Sequence, residues 1–131
     1  MVRKGAELQL SVTPLANITL SLAYTWLDAT NEDTSKTLTS SPGHRANANL
    51  SWDYDYFTII AELIYTSKQY TRSDNTASIP KIILGNLRAE YNFHYIDLFA
   101  DVKNICDHNY INSIGYQGKP RTWITGLNLR F

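Results

Sequence analysis

The sequence predicts an all-β fold: an antiparallel up-and-down transmembrane β-barrel segment of about seven strands. Three observations predict it. Segments near the roughly 9 to 11 residues of a tilted membrane strand alternate apolar and polar side chains, the period of a strand with one dry and one wet face. Short turns alternate with long polar loops, so one rim is trimmed and the other extended, as in outer-membrane barrels. Aromatic residues gather at both ends of the strands, and the last strand closes on an aromatic in its apolar row.

The first strand is expected from Ala6 to Thr13, with Ala6, Leu8, Leu10 and Val12 opposite Glu7, Gln9, Ser11 and Thr13. Residues Pro14 to Asn17 carry turn formers. The second, Ile18 to Asp28, sets Ile18, Leu20, Leu22, Tyr24 and Trp26 against Thr19, Ser21, Ala23 and Thr25, and a polar loop follows from Ala29 to Gly43. The third, His44 to Tyr54, is the most regular: Ala46, Ala48, Leu50, Trp52 and Tyr54 face away from Arg45, Asn47, Asn49, Ser51 and Asp53. Asp55 turns the chain into the fourth strand, Tyr56 to Thr66, where Ile60 and Ile64 interrupt the polar face beside Glu62. After a loop from Ser67 to Pro80, the fifth strand spans Lys81 to Phe93 and reverses at His94 into the sixth, Tyr95 to Ile105, with Phe99 as its exception. A connection from Cys106 to Pro120 leads into the terminal strand, Arg121 to Phe131, in which Trp123, Thr125, Leu127, Leu129 and Phe131 share one face.

Twelve Lys and Arg balance twelve Asp and Glu, so no basic footprint for nucleic acid is present. No run approaches the roughly 18 apolar residues of a membrane helix, but alternating barrel strands never produce one. Arg3 and Lys4 lack a following hydrophobic stretch, so no secretory signal is read. The single Cys106 allows no internal disulfide and reads as a small apolar side chain near a strand end.

Nine Tyr, four Phe and three Trp suit places where one end of a ring is dry and the other wet. Tyr54, Tyr56, Phe57, Tyr91, Phe93, Tyr95 and Phe131 cluster beside the short turns, whereas Tyr24, Trp26, Tyr65, Tyr70 and Trp123 lie near the long loops. Two belts of this kind match the aromatic girdles at the two membrane interfaces. Single-chain bacterial barrels use an even strand number. Seven strands would put the two chain ends on opposite rims and leave two unpaired edges that hydrocarbon penalises, so the chain is expected to be one piece of a larger barrel.

The segment Asp101-Val-Lys-Asn-Ile-Cys-Asp-His-Asn-Tyr110, followed by Gly118-Lys-Pro-Arg121 and a strand ending in Phe131, resembles the end of a TonB-dependent receptor. Val102, Asn104, Ile105, Asp107 and Tyr110 match the family's Val-x-Asn-Leu-Phe-Asp-x-x-Tyr pattern, with Cys106 where Phe is usual, and Pro120 and Arg121 belong to the element that opens the last strand. Upstream, Tyr24-Thr-Trp-Leu-Asp28 and Pro42-Gly-His-Arg45 resemble recurring strand-end and strand-entry units. The resemblance implies the C-terminal part of a 22-stranded barrel with a plugged lumen, importing iron-siderophore complexes, cobalamin or another scarce nutrient across the bacterial outer membrane. It implies as partners outer-membrane lipid, the barrel assembly machinery, the remainder of the barrel with its plug domain, and TonB through an N-terminal part outside this chain. Trp123, Leu127, Leu129 and Phe131 would form the assembly signal.

No nucleophile and base pairing, phosphate loop or pair of carboxylates with separable roles is present, so no catalytic or cofactor site is expected. His44, His94 and His108 lack ligand spacing, and no metal site is expected. The charged residues Arg45, Glu62, Arg88, Glu90, Asp97, Asp101 and Lys103 are expected on the lumen face. A soluble lipocalin-like barrel shares the alternation with its apolar face turned inward, but the two belts and the one-sided loops favour the membrane. A small structural or adhesion barrel of eight strands would need a further strand between Ala29 and Gly43.

Overall fold

The computed structural model describes residues 2–130. The proposed role of Phe131 therefore falls outside the described residues. The chain runs through β1 (Val2–Leu15), β2 (Ile18–Asn31), β3 (Lys36–Thr37), β4 (His44–Tyr54), β5 (Phe57–Thr66) and β6 (Gln69–Tyr70). It continues through β7 (Ser78–Ile79), β8 (Ile82–Phe93), β9 (Ile96–Lys103), β10 (Ile111–Ser113), β11 (Tyr116–Gln117) and β12 (Thr122–Leu129). Seven long strands make one antiparallel sheet in the order β1-β2-β4-β5-β8-β9-β12. This is the expected up-and-down succession. Its two outer strands, β1 and β12, each pair on one side among the described residues, so the sheet is an open arc.

Several boundaries differ from expectation, each for a local reason. β1 begins at Val2 and β2 continues to Asn31 because residues 2–5 pair with residues 27–30. Backbone pairing there outlasts the apolar alternation. β9 stops at Lys103 because Asn104 takes a φ of 53°, which ends an extended run. The loop from Ala29 to Gly43 holds no spanning strand; β3 only prolongs the end of β2, through Thr30 with Thr37 and Asn31 with Lys36. The other two long connections carry small hairpins, β6 with β7 and β10 with β11. Strands of two or three residues are too short to show an alternation.

The register brings every expected apolar row together on one side. Leu8, Tyr24, Ala46, Tyr65 and Ile83 form one row, and Leu10, Leu22, Ala48, Leu63 and Gly85 the next. Val12, Leu20, Leu50, Ala61, Leu87, Val102 and Trp123 form a third. The other side carries rows such as Ser11, Ser21, Asn49, Glu62 and Asn86. A one-residue slip anywhere would exchange the two faces.

The three short turns are closed by Leu15 with Ile18, Tyr54 with Phe57, and Phe93 with Ile96. Asp55 and His94 open their turns at φ values of 52° and 49°, a conformation their residue types adopt more readily than most. Ile18 pairs with Trp52, two residues short of Tyr54, and Phe57 pairs with Tyr91, two residues short of Phe93. Each hairpin is thus staggered by two residues per two strands. With a rise of about 3.3 Å per residue and strands about 4.8 Å apart, turns at a common level require strands tilted by roughly 35°. Membrane barrels tilt their strands by roughly 35 to 45°.

Little of the sheet is covered by protein. Leu8 is 66% exposed, Trp123 69% and Leu127 60%. The buried apolar residues are Ala29, Ile79, Ile82 and Val102, so packing concentrates toward the long-loop rim. A continuous bare apolar face of this size marks a surface that meets lipid or protein.

Candidate functional site

Three groups of residues give the arc its chemistry. The first is the pair of aromatic belts. At the short-turn rim Phe57 and Tyr91 lie 4.7 Å apart between ring centroids, Tyr56 meets Phe93 edge-on at 4.8 Å, and Trp52 stacks near Tyr54 at 5.9 Å. Tyr56 and Tyr95 occupy the two-residue turns, with Tyr95 beyond the His94 ring. Offset and edge contacts of this kind hold rings rigidly while leaving an edge for water. At the long-loop rim Tyr24 and Tyr65 share a row, and the Tyr24 hydroxyl lies 2.7 Å from His44 Nδ1. Trp26 lies one same-face step above Tyr24 and pairs with His44. Trp123 sits in the row of Leu87, four residues down β8 from the row of Ile83 and Tyr65. The stagger lowers the rim by about one residue per strand over the three steps from β5 to β12, so Trp123 stays close to the same level.

The second group is the polar face. Glu62 accepts hydrogen bonds from Asn47 Nδ2 at 3.1 Å and Asn86 Nδ2 at 2.7 Å, and Asn49 donates to Asn47. Beside it Arg88 bridges Glu90 and Asp101, its Nη1 donating to Asp101 Oδ2 at 2.9 Å. The guanidinium also lies 4.5 Å from the centroid of Phe99. This accounts for the apolar exception on β9. The Phe99 ring lies over Gly126, where a Cβ would collide with it. Charges and amides on one face of a sheet whose other face is bare require water or polar protein on their side. Near the short turns Arg130 pairs with Asp97 at 2.8 Å.

The third group is the motif at the end of β9, which forms a clasp. Asn104 is 4% exposed; its Nδ2 donates to the carbonyls of His108 at 2.9 Å and Lys119 at 3.2 Å, and its Oδ1 accepts the His108 N–H at 2.9 Å. Its own N–H donates to Asn86 Oδ1 at 3.0 Å. Asp107 takes a φ of 51° and accepts the Arg121 N–H at 2.7 Å. Ile105 N–H donates to the Gly85 carbonyl, and its side chain sits over Gly85. The Tyr110 ring covers Gly118, whose N–H donates to the Tyr110 carbonyl at 2.8 Å. Asn104, Ile105, Asp107, Tyr110 and Arg121 are thus brought into one structure that ties β8, β9 and β12 at the long-loop rim. Pro120 accepts a hydrogen bond from Thr122 Oγ1 at 2.9 Å, and Val102 is buried one step below the clasp.

Other expectations fall differently. Cys106, read as a small apolar side chain near a strand end, lies three residues past the end of β9 with its side chain exposed. The three histidines lie apart, His94 in a short turn and His44 and His108 at the long-loop rim. A feature with no visible sequence signal joins two long loops. Asn75 donates to the Thr37 carbonyl at 2.8 Å and accepts the Thr37 N–H at 3.0 Å, while Lys36 Nζ donates to the Asp74 carbonyl at 2.7 Å. Asp74 in turn accepts the hydroxyl and N–H of Thr76, chiefly the hydroxyl, and this holds its carboxyl below the usual carboxylate range.

One apolar face with two aromatic belts, one polar face, a uniform stagger and loops extended at a single rim define a segment of a transmembrane β-barrel wall. The chain belongs to the TonB dependent receptor-like, beta-barrel family, whose model matches residues 1–105. No curated protein matches it. Among solved structures it is similar to BauA, the ferric preacinetobactin receptor of Acinetobacter baumannii, with a TM-score of 0.85 and 22% identity over 97% of this chain and 22% of that one. It is also similar to the siderophore receptor PiuA of the same species, with a TM-score of 0.84 and 21% identity over 97% of this chain and 21% of the other. The ferric-catecholate import receptor Fiu of Escherichia coli K12 gives a TM-score of 0.79 and 22% identity over 98% of this chain and 21% of its own. The chain spans about a fifth of the length of these structures.

Proposed function

We propose that these residues are the C-terminal part of a 22-stranded outer-membrane barrel that imports iron-siderophore complexes with energy relayed by TonB. The family match carries this reading, together with a sheet whose two faces demand two different media. Iron-siderophore complexes are favoured over cobalamin because BauA, PiuA and Fiu are named for ferric or siderophore ligands. In this reading the belt residues Tyr24, Trp26, Tyr54, Tyr56, Phe57, Tyr65, Tyr91, Phe93, Tyr95 and Trp123 stand at the two lipid interfaces. The polar face would meet the plug domain and lumen water, and the open edges would meet the remainder of the barrel. Trp123, Leu127 and Leu129, exposed on β12, with Phe131, would be read by the assembly machinery.

The test is uptake of radioactive iron by cells grown under iron limitation, with the gene deleted and then restored, supplied with a panel of ferric siderophores. Uptake of at least one complex should fall on deletion and return on restoration, and should be lost without TonB. Undiminished uptake of every complex would overturn the assignment.

A further inference from the structure

The polar face carries Arg3, Arg45, Arg88 and Arg130, and these arginines fall into two kinds. Near the middle of the sheet and at the short turns, Arg88 and Arg130 are neutralised by Asp101 and Asp97. Arg3 and Arg45, toward the long loops, are not: among the described residues neither guanidinium has an ion pair or a hydrogen bond. Arg3 reaches this end of the face because β1 runs on past its apolar row, pairing Arg3 with Ala29. Arg45 opens the polar row of β4 and pairs with Thr25. β2 lies between the two strands, and both arginines line one hollow of about 260 Å³. Its remaining wall is Thr25 and Leu27 of β2 with residues 40–42, of which Pro42 is buried. The Leu27 N–H donates to the Gly43 carbonyl and the Ser40 N–H to the Tyr70 carbonyl, so backbone bonds hold this loop stretch in place. Among the described residues no carboxylate lines the hollow. Glu7 stands across Thr25 from Arg45 on the same face and pairs with neither guanidinium.

We propose that Arg3 and Arg45 dock an anionic ligand at the long-loop mouth of the lumen, and that the complex carried is a ferric chelate of the catecholate or carboxylate class, not a neutral or cationic hydroxamate. The proposal rests on the transporter reading above and narrows its substrate. A guanidinium stays charged at physiological pH and presents a planar fork of donors that fits two adjacent oxygens. Catecholate and carboxylate chelates carry surplus negative charge on paired oxygens around the metal, whereas trihydroxamate chelates carry none. Two guanidiniums beside one hollow repel each other, and an anion seated between them is attracted by both. A concave wall lined by one sign of charge also concentrates ions of the opposite sign. Thr25, Ser40 and Ser41 add hydroxyl donors to the same wall. Glu7 works against this field and gives the test a second sign.

The test titrates the purified full-length receptor with ferric enterobactin, ferric citrate, ferrichrome and ferrioxamine B, and reads binding from the quenching of tryptophan fluorescence. The first two chelates are anionic, ferrichrome is neutral and ferrioxamine B is cationic. At least one anionic chelate should bind ahead of both hydroxamates, and its affinity should fall as salt is raised. Arg3→Gln and Arg45→Gln should each weaken it about fivefold, the scale of one exposed charge pair. Arg45→Lys, which keeps the charge and loses the fork, should weaken it less, and Glu7→Gln should strengthen it. Lys4→Gln, on the opposite face of β1, should change nothing. Preference for a hydroxamate chelate, or equal affinity of the wild type, Arg3→Gln and Arg45→Gln proteins for the anionic one, would overturn the proposal and leave the transporter reading standing. Uptake of every complex undiminished by deletion of the gene would remove the transporter reading itself, and the anion site with it.

Discussion

Asn104 concentrates more structure than its size suggests, because one amide side chain satisfies two carbonyls and an N–H while its backbone bends out of the strand. Asn104→Ala should cost about 1 to 3 kcal/mol for the unsatisfied buried groups, with a further penalty for alanine at positive φ. Urea unfolding of the refolded full-length barrel should reveal the loss, and limited proteolysis should show faster cleavage between Ile105 and Pro120. A stability and a cleavage rate both equal to wild type would remove the clasp from the account. At mid-strand, Leu50 faces outward and Asn49 inward in adjacent positions of β4. Leu50→Arg should destabilise the barrel by roughly 2 to 4 kcal/mol, the depth-dependent cost of arginine on a lipid face, and Asn49→Arg by much less. Equal losses would contradict the orientation of the sheet. The motif positions 104, 107 and 121 are legible in the sequence through the family resemblance, and the structure supplies the physical reason at two of them, where Asn104 and Asp107 take left-handed backbone. The stack of Arg88, Phe99 and Gly126 is not legible, since Phe99 between Asp97 and Asp101 on the polar side of β9 looks like noise until a glycine is seen across the ladder.

Among elements, strands with strict alternation are the easiest to read, and β4 runs from His44 to Tyr54 as expected. Boundaries fail where hydrogen bonding and hydropathy part company. β1 and β2 continue past the apolar rows into charged residues, because a ladder needs backbone partners and not apolar side chains. The small hairpins of the long loops are invisible for the same reason, and so is the docking of residues 36–37 against residues 74–75. That docking should respond to pH. Asp74 has its pKa lowered in the folded state by the Thr76 hydroxyl and N–H, so its contribution is present above the ordinary aspartate value, about 3.9, and is lost as pH falls through the lower folded value. Hydrogen exchange at Thr37, corrected for its intrinsic pH dependence, should therefore accelerate below about pH 4. Asn75→Ala should produce the same loosening at pH 7. Protection at Thr37 that survives both changes would show that the loops do not depend on this contact.

At the scale of the molecule, the odd number of long strands decides what the arc can do alone. β1 and β12 run in the same direction because six antiparallel steps separate them. Direct closure would therefore need a parallel pair, whereas single-chain bacterial barrels close antiparallel with an even strand number. This property is legible from the count of alternating segments, while the tilt is legible only after the register shows two residues of stagger per hairpin. The unpaired backbone of two edges, up to 14 residues on β1, would face hydrocarbon at several kcal/mol per group. Residues 1 to 131 expressed as they stand should therefore not form a monomeric pore, and their exposed edges and bare apolar face should drive association instead. The measurement is conductance of refolded material in planar bilayers, with sedimentation to define its size. Aggregates without discrete steps are expected. Stable single-channel steps from a monomer would mean that the arc closes on itself, and the assignment to a larger barrel would then fail.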